Sequence, residues 1–127
     1  MDYHQILALI AVLTGNAGDD FATLKSGGAD PKAPITQILC PHPLPANEIE
    51  GKTVFCGTVQ VPEDHAKPDG KKIPLQFSIL KSWSQYPEPD PLVYLQGGPG
   101  GSAISQIPLY ARTFEPFRKT RDVVFWD

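Results

Sequence analysis

Nowhere does an apolar run in this sequence approach the ~18 residues that a bilayer-spanning helix needs, so no membrane span is expected. Basic residues are scarce as well, with 11 Lys and Arg against 14 Asp and Glu and a net charge of -3. That balance leaves no electrostatic footprint for nucleic acid. No segment repeats at a solenoid or propeller period. Charged residues are too few (20%) and hydrophobic ones too many (41%) for a disordered tail. A chain of 127 residues holds one domain rather than two. What is plentiful is proline (14) and glycine (11), about a fifth of the chain. That density means many loops, short of a low-complexity signature.

The first 17 residues have the shape of an export signal. Ile6 to Leu13 is an apolar run too short for a membrane helix. Gly15 and Ala17 then form a small-x-small pair suited to a signal peptidase. The preceding Met1-Asp2-Tyr3-His4-Gln5 lacks the Lys or Arg that such signals carry. A secreted or periplasmic location is therefore the expectation, with a short buried helix as the alternative.

Cysteine occurs only twice, as Cys40 and Cys56. In an oxidised compartment a disulfide between them closes a short loop across a Pro-rich segment. Two free thiols are the alternative. A zinc reading would recruit His42 and His65, but Cys-x-His, then Cys, then His matches no finger or ribbon spacing, and no metal is expected.

Residues 18–52 are polar and punctuated by Gly and Pro, and read as a linker or N-terminal arm. The β-branched stretch Thr53 to Val61 reads as a strand. Pro68-Asp69-Gly70 supplies a turn, since Pro presets φ and Gly accepts positive φ. Lys72 to Lys81 follows as a second strand, giving a hairpin with Pro74 at an edge or bulge. Leu92 to Leu95 is a short continuous apolar run, as in a strand buried on both faces. A glycine-rich turn follows, then a helix over Ala103 to Lys119 punctuated by Pro108 and Pro116. Asp122 to Trp126 is a last apolar strand. Strand, turn, helix, strand makes one βαβ unit, so the class is α/β.

Three readings compete for Gln96-Gly97-Gly98-Pro99-Gly100-Gly101-Ser102. A phosphate-cradling P-loop requires Gly-Lys-Ser/Thr, and no Lys is present. A dinucleotide fingerprint fits Gly98-x-Gly100-x-x-Ala103, with Asp127 ending the next strand where a ribose-binding acid would sit. Against it, Pro99 removes an amide from a loop whose purpose is to offer amides. The third reading is an oxyanion loop, in which glycines bring backbone N–H groups close to a developing negative oxygen.

With that third reading the sequence resembles the N-terminal part of an α/β-hydrolase of the prolyl-aminopeptidase and tripeptidyl-aminopeptidase family. The pieces are Cys56-Gly57-Thr58-Val59-Gln60-Val61-Pro62 with Asp64 and Pro68, then Pro91 through Ala103 around the glycine run, then Arg121 to Asp127. They cover roughly residues 53 to 127. Gln96 stands where the family usually has His, and the family's last segment usually continues into Gln-Arg-Gly. The resemblance implies the opening of an α/β-hydrolase sheet, with antiparallel strands and one βαβ unit in an incomplete sheet. It implies a serine hydrolase acting on peptide N-termini through a Ser–Asp–His triad, with a peptide or ester substrate and no cofactor. By position, Gly98 would donate its backbone N–H to the oxyanion, with Gly97 and Gly100 shaping the loop.

The triad itself is not expected within these residues. Ser102 lacks the second Gly of G-x-S-x-G and reads as a helix N-cap. His4, His42 and His65 all precede the loop, whereas the family order places His after it. The last strand, Val-Val-Phe-Trp, has nothing following to cover it and reads as an exposed edge. The expectation is an N-terminal portion of a longer hydrolase, inactive and poorly soluble by itself. The alternatives are a non-enzymatic secreted binding module that uses the disulfide-closed region, or a dinucleotide-binding βαβ unit.

Overall fold

A computed structural model describes residues 35–127. The export-signal segment 1–17 and residues 18–34 of the arm lie outside the described residues. Five strands form one mixed sheet in the order β1-β2-β3-β5-β4. They are β1 (Ile35–Ile38), β2 (Val54–Pro62), β3 (Lys72–Leu80), β4 (Leu92–Leu95) and β5 (Val123–Trp126). The first three form an antiparallel meander, β5 pairs antiparallel with β3, and β4 pairs parallel with β5. Between β4 and β5 the chain makes a 3-10 turn (Ile104–Gln106) and two short helices, α1 (Ile107–Thr113) and α2 (Glu115–Arg118). No helix among the described residues is long and apolar enough to cross a membrane.

The expected hairpin forms, with Val54 opposite Leu80 and Pro62 opposite Lys72. At its tip the Gly70 amide closes on the Lys67 carbonyl at 2.9 Å. Pro74 lies opposite Gln60, beyond the Phe77–Leu80 stretch where β3 also pairs with β5. Its missing N–H therefore costs no ladder bond on the β5 side. Period-two alternation gives the sheet two apolar faces. Ile35, Val59, Val61, Phe77, Ile79 and Val124 pack on one. On the other, Val54, Cys56, Leu80, Val123 and Phe125 meet Ala103, Ile104, Ile107 and Ala111 from the helical segment.

Several expectations need correction. The arm 18–52 contains a strand, because β1 joins the sheet through four residues and places Ile38 opposite Cys56. Its short length and the flanking prolines concealed it. The last strand is not an exposed edge: β5 lies between β3 and β4, and Val123, Val124 and Phe125 are wholly buried. The outer position belongs to β4, which is only half-buried and ends at Leu95, 69% exposed. The single helix Ala103–Lys119 is broken at Phe114, the residue that ends α1 and precedes α2. Pro116, in the first turn of α2, removes an amide that would have bonded back into α1.

Two features fasten the β1–β2 connection. A Cys40–Cys56 disulfide, Cα–Cα 5.1 Å, closes a separation of 16 residues. Closing a loop of that size stabilises a fold by about 3 kcal/mol. Farther along the connection, Glu48 forms a bidentate ion pair with Arg118, whose side chain is 1% exposed. Burial alone would raise the Glu48 carboxyl, but the Arg118 hydrogen bonds and charge, with a hydrogen bond to Thr53, hold it below its ordinary 4.5.

Gly57 faces Phe77 across the β2–β3 pair, and a Cβ there would stand 2.4 Å from the Phe77 ring and 3.0 Å from the Thr36 carbonyl. Gly57→Ala should lower stability by about 1–3 kcal/mol through overpacking, read as a lower urea midpoint with unchanged slope. The Glu48 contribution should be complete above about pH 4.5 and lost as pH falls through its lowered folded value. Urea midpoints from pH 7 to pH 3 should thus fall more steeply for wild type than for Glu48→Gln, which should already be weaker at pH 7.

Candidate functional site

The glycine run leaves β4 at the exposed end of the β4–β5 pair. Parallel register sets Leu95 beside Trp126, so Asp127 emerges next to the turn that follows β4. Its carboxylate accepts the Ser102 hydroxyl at 2.5 Å, the Ala103 amide at 2.6 Å and the Ile104 amide at 3.4 Å. One carboxylate thus fixes the end of the loop and the start of the helical segment, where unpaired N–H groups favour negative charge. Ser102 Oγ in turn accepts the Ser105 amide at 3.0 Å. The hydroxyl is a capping acceptor for the turn and a donor to Asp127. α1 itself begins after Gln106, without a side-chain cap.

Upstream, the Tyr94 hydroxyl donates to Gln96 Oε1 at 2.6 Å, and Gln96 Nε2 donates to the Gly97 carbonyl at 3.3 Å. Hydrogen bonding with Tyr110, then burial, then the Tyr110 charge push the Tyr94 hydroxyl above its ordinary value of 10.0. It therefore stays a proton donor at neutral pH and keeps Gln96 turned onto the loop. Beneath it, Tyr94 packs edge-on against Tyr110 and at a tilt against Phe114 and Phe125.

The loop is open to solvent from Gln96 to Gly101. Among the described residues, the amides of Gly97, Gly98, Gly100 and Gly101 donate no hydrogen bond. Gly100 has φ +85°, a left-handed conformation that favours glycine. A Cβ at Gly97 would meet nothing within 4 Å, whereas one at Gly101 would stand 2.8 Å from both Gln96 Cγ and the Gly97 carbonyl. Sequence reasoning singled out Gly97, Gly98 and Gly100 and missed Gly101. Yet Gly101 is the position where close approach requires the absence of a side chain. The only sequence signal was the second doubled glycine.

The same geometry weighs on the rival readings. A pyrophosphate on the dinucleotide fingerprint would need the amides at the helix start. Those of Ala103 and Ile104 already bond Asp127, so the acid assigned to a ribose instead holds the loop. The expected histidines lie elsewhere. His42 sits beside the disulfide, His65 in the exposed segment between β2 and β3, and His4 outside the described residues. The loop can offer backbone donors to an anionic oxygen, but the described residues bring no histidine to Ser102, whose hydroxyl bonds the Asp127 carboxylate.

No family model matches the chain. The chain is similar to the tripeptidyl aminopeptidases of Streptomyces lividans and Streptomyces coelicolor. Each is 43% identical over 54 residues, which is 42% of this chain and 10% of the relative. The chain thus spans about a tenth of the length of the curated relatives it matches. A stretch of this size supports a relationship to peptidases.

Gly101→Ala should cost about 1–3 kcal/mol, because backbone and Gln96 must both give way. Gly97→Ala should stay within about 0.5 kcal/mol of wild type, since its methyl enters open space. Paired urea melts check the contrast.

Proposed function

We propose that residues 53–127 are the part of a serine-type aminopeptidase of the α/β-hydrolase fold that supplies an oxyanion loop. The observation that carries this reading is the exposed glycine loop, with its unpaired amides, held at the end of β4 by Asp127. The antiparallel strands followed by one parallel βαβ unit are the opening that the resemblance implies. The similarity to tripeptidyl aminopeptidases supports peptides as the substrate class.

In this reading the Gly98 amide, with its neighbours, stabilises the oxyanion of a tetrahedral intermediate. The nucleophile, acid and base come from other parts of a longer protein. The free outer side of β4 and the exposed Leu95 suit a sheet that continues there. The Cys40–Cys56 disulfide supports an oxidising destination, secreted or periplasmic.

The 127-residue chain should neither hydrolyse tripeptidyl anilides nor react with a fluorophosphonate, because Ser102 has only Asp127 and Ser105 as partners. The longer protein should do both. Fluorophosphonate labelling of Ser102, or a gene that encodes no such longer protein, would overturn the proposal.

A further inference from the structure

Away from the glycine loop, the sulfurs of Cys40 and Cys56 and a ring nitrogen of His42 lie within 4.8 Å of one another. His65, which the sequence pattern had grouped with them, is not in the cluster. His42 Nδ1 lies 3.2 Å from the Pro43 carbonyl, an acceptor only. That bond requires the proton on Nδ1 and leaves the lone pair on Nε2. His42 Nε2 is buried and has no hydrogen-bond partner, the one such side-chain atom among the described residues. A buried acceptor without a donor requires a physical explanation. A carbonyl holding one ring nitrogen while the other stays free is how metal-ligating histidines are oriented.

The sulfurs are also held from outside. Glu50 Oε1 accepts the Cys40 amide at 2.5 Å, which fixes the backbone of that residue. Ser78 Oγ lies 3.0 Å from Cys56 Sγ, where its hydroxyl can donate to sulfur. A hydrogen bond of that kind favours the thiolate over the thiol.

We propose that reduction of the Cys40–Cys56 disulfide converts this cluster into a binding site for a thiophilic divalent cation, Zn²⁺ above all. Cys40 Sγ, Cys56 Sγ and His42 Nε2 are its ligands. A dithiol or phosphine reductant supplies the two electrons. With a dithiol, the Cys40–Cys56 bond breaks, two thiols form on the protein, and the reductant leaves as its own disulfide. Zn²⁺ then displaces both thiol protons to solvent. Two thiolates balance the charge of the cation, neutral imidazole is the third ligand, and the fourth tetrahedral position takes water. Hard cations that prefer oxygen are poor occupants. Disulfide and metal exclude each other, because a sulfur bonded to sulfur has no thiolate to offer. Occupancy therefore follows the redox state.

The test titrates Co²⁺ into the full chain, before and after reduction with a thiol-free phosphine under nitrogen, with circular dichroism recorded throughout. The reduced chain should bind one equivalent, with thiolate-to-cobalt charge transfer and the ligand-field bands of a tetrahedral site. Zn²⁺ should bleach that spectrum. His42→Ala should weaken binding at least about 10-fold. Cys40→Ser and Cys56→Ser should each abolish the charge-transfer signature of a two-thiolate site. As an independent readout, Zn²⁺ should slow iodoacetamide alkylation of both cysteines at least about 10-fold. Four outcomes overturn the proposal: no spectrum after reduction, an equal spectrum in the oxidised chain, unchanged affinity in His42→Ala, or loss of the sheet on reduction with metal bound equally well in denaturant.

Discussion

The buried guanidinium of Arg118 joins parts of the fold that are far apart in sequence. Its Nε donates to the Lys81 carbonyl at 3.0 Å, its two terminal nitrogens take Glu48, and its Cζ lies 5.0 Å from the Trp83 ring centre. The Arg118 carbonyl accepts the Trp83 amide at 2.8 Å and the Ser82 hydroxyl at 2.9 Å. One residue at the end of α2 thereby holds the exit of β3 and the β1–β2 connection. Four residues on, Asp122 takes Lys81 Nζ at 2.5 Å and the Ser82 amide at 2.6 Å. Residues 81–83 are clamped between the end of the helical segment and the start of β5. That clamp brings β5 in beside β3, and β5 in turn carries β4 and the glycine loop.

Buried ion pairs contribute less than their Coulomb attraction suggests, because both ions leave water. The Arg118–Glu48 pair is better understood as a constraint. Removing one partner strands the other, at a cost of about 3–5 kcal/mol. Arrangements of the β1–β2 connection that separate Glu48 from Arg118 carry that penalty. The disulfide acts on the same connection from its other end. It narrows the unfolded ensemble, whereas the ion pair penalises misplaced compact states. Together they fix a proline-rich segment that has few apolar side chains of its own to bury.

The elements that were legible in the sequence were those whose signal is local. β-branched periodicity, the Pro-Asp-Gly turn and the short apolar runs gave β2, β3, β4 and β5 to within a residue or two. The strand β1 was hidden because four residues between proline-rich stretches carry little pattern. It exists because β2 offers it an edge. The burial of β5 could not be read locally either, since chain order does not disclose that β5 inserts between β3 and β4. Phe114 breaks the helix without being a breaker by type. The cause is Pro116 two residues later, which the sequence marked only as a punctuation of one helix.

In the site, the glycines announced a loop built for backbone donors, but the residue that holds the loop was assigned another role. Asp127 satisfied a dinucleotide pattern in one reading and a hydrolase segment in the other. Both patterns ask for an acid at the end of the strand beside the glycine turn. Parallel pairing of β4 and β5 places that acid beside the turn in either case. What separates the readings is which amides remain free. A carboxylate bonded to Ala103 and Ile104 occupies the amides at the helix start, while those of Gly97, Gly98, Gly100 and Gly101 before it stay unpaired. A pyrophosphate has lost its seat there, whereas a single oxyanion needs only two such amides within hydrogen-bond reach. The order in which the acid uses the donors thus supports the proposed acyl-transfer reading over nucleotide binding.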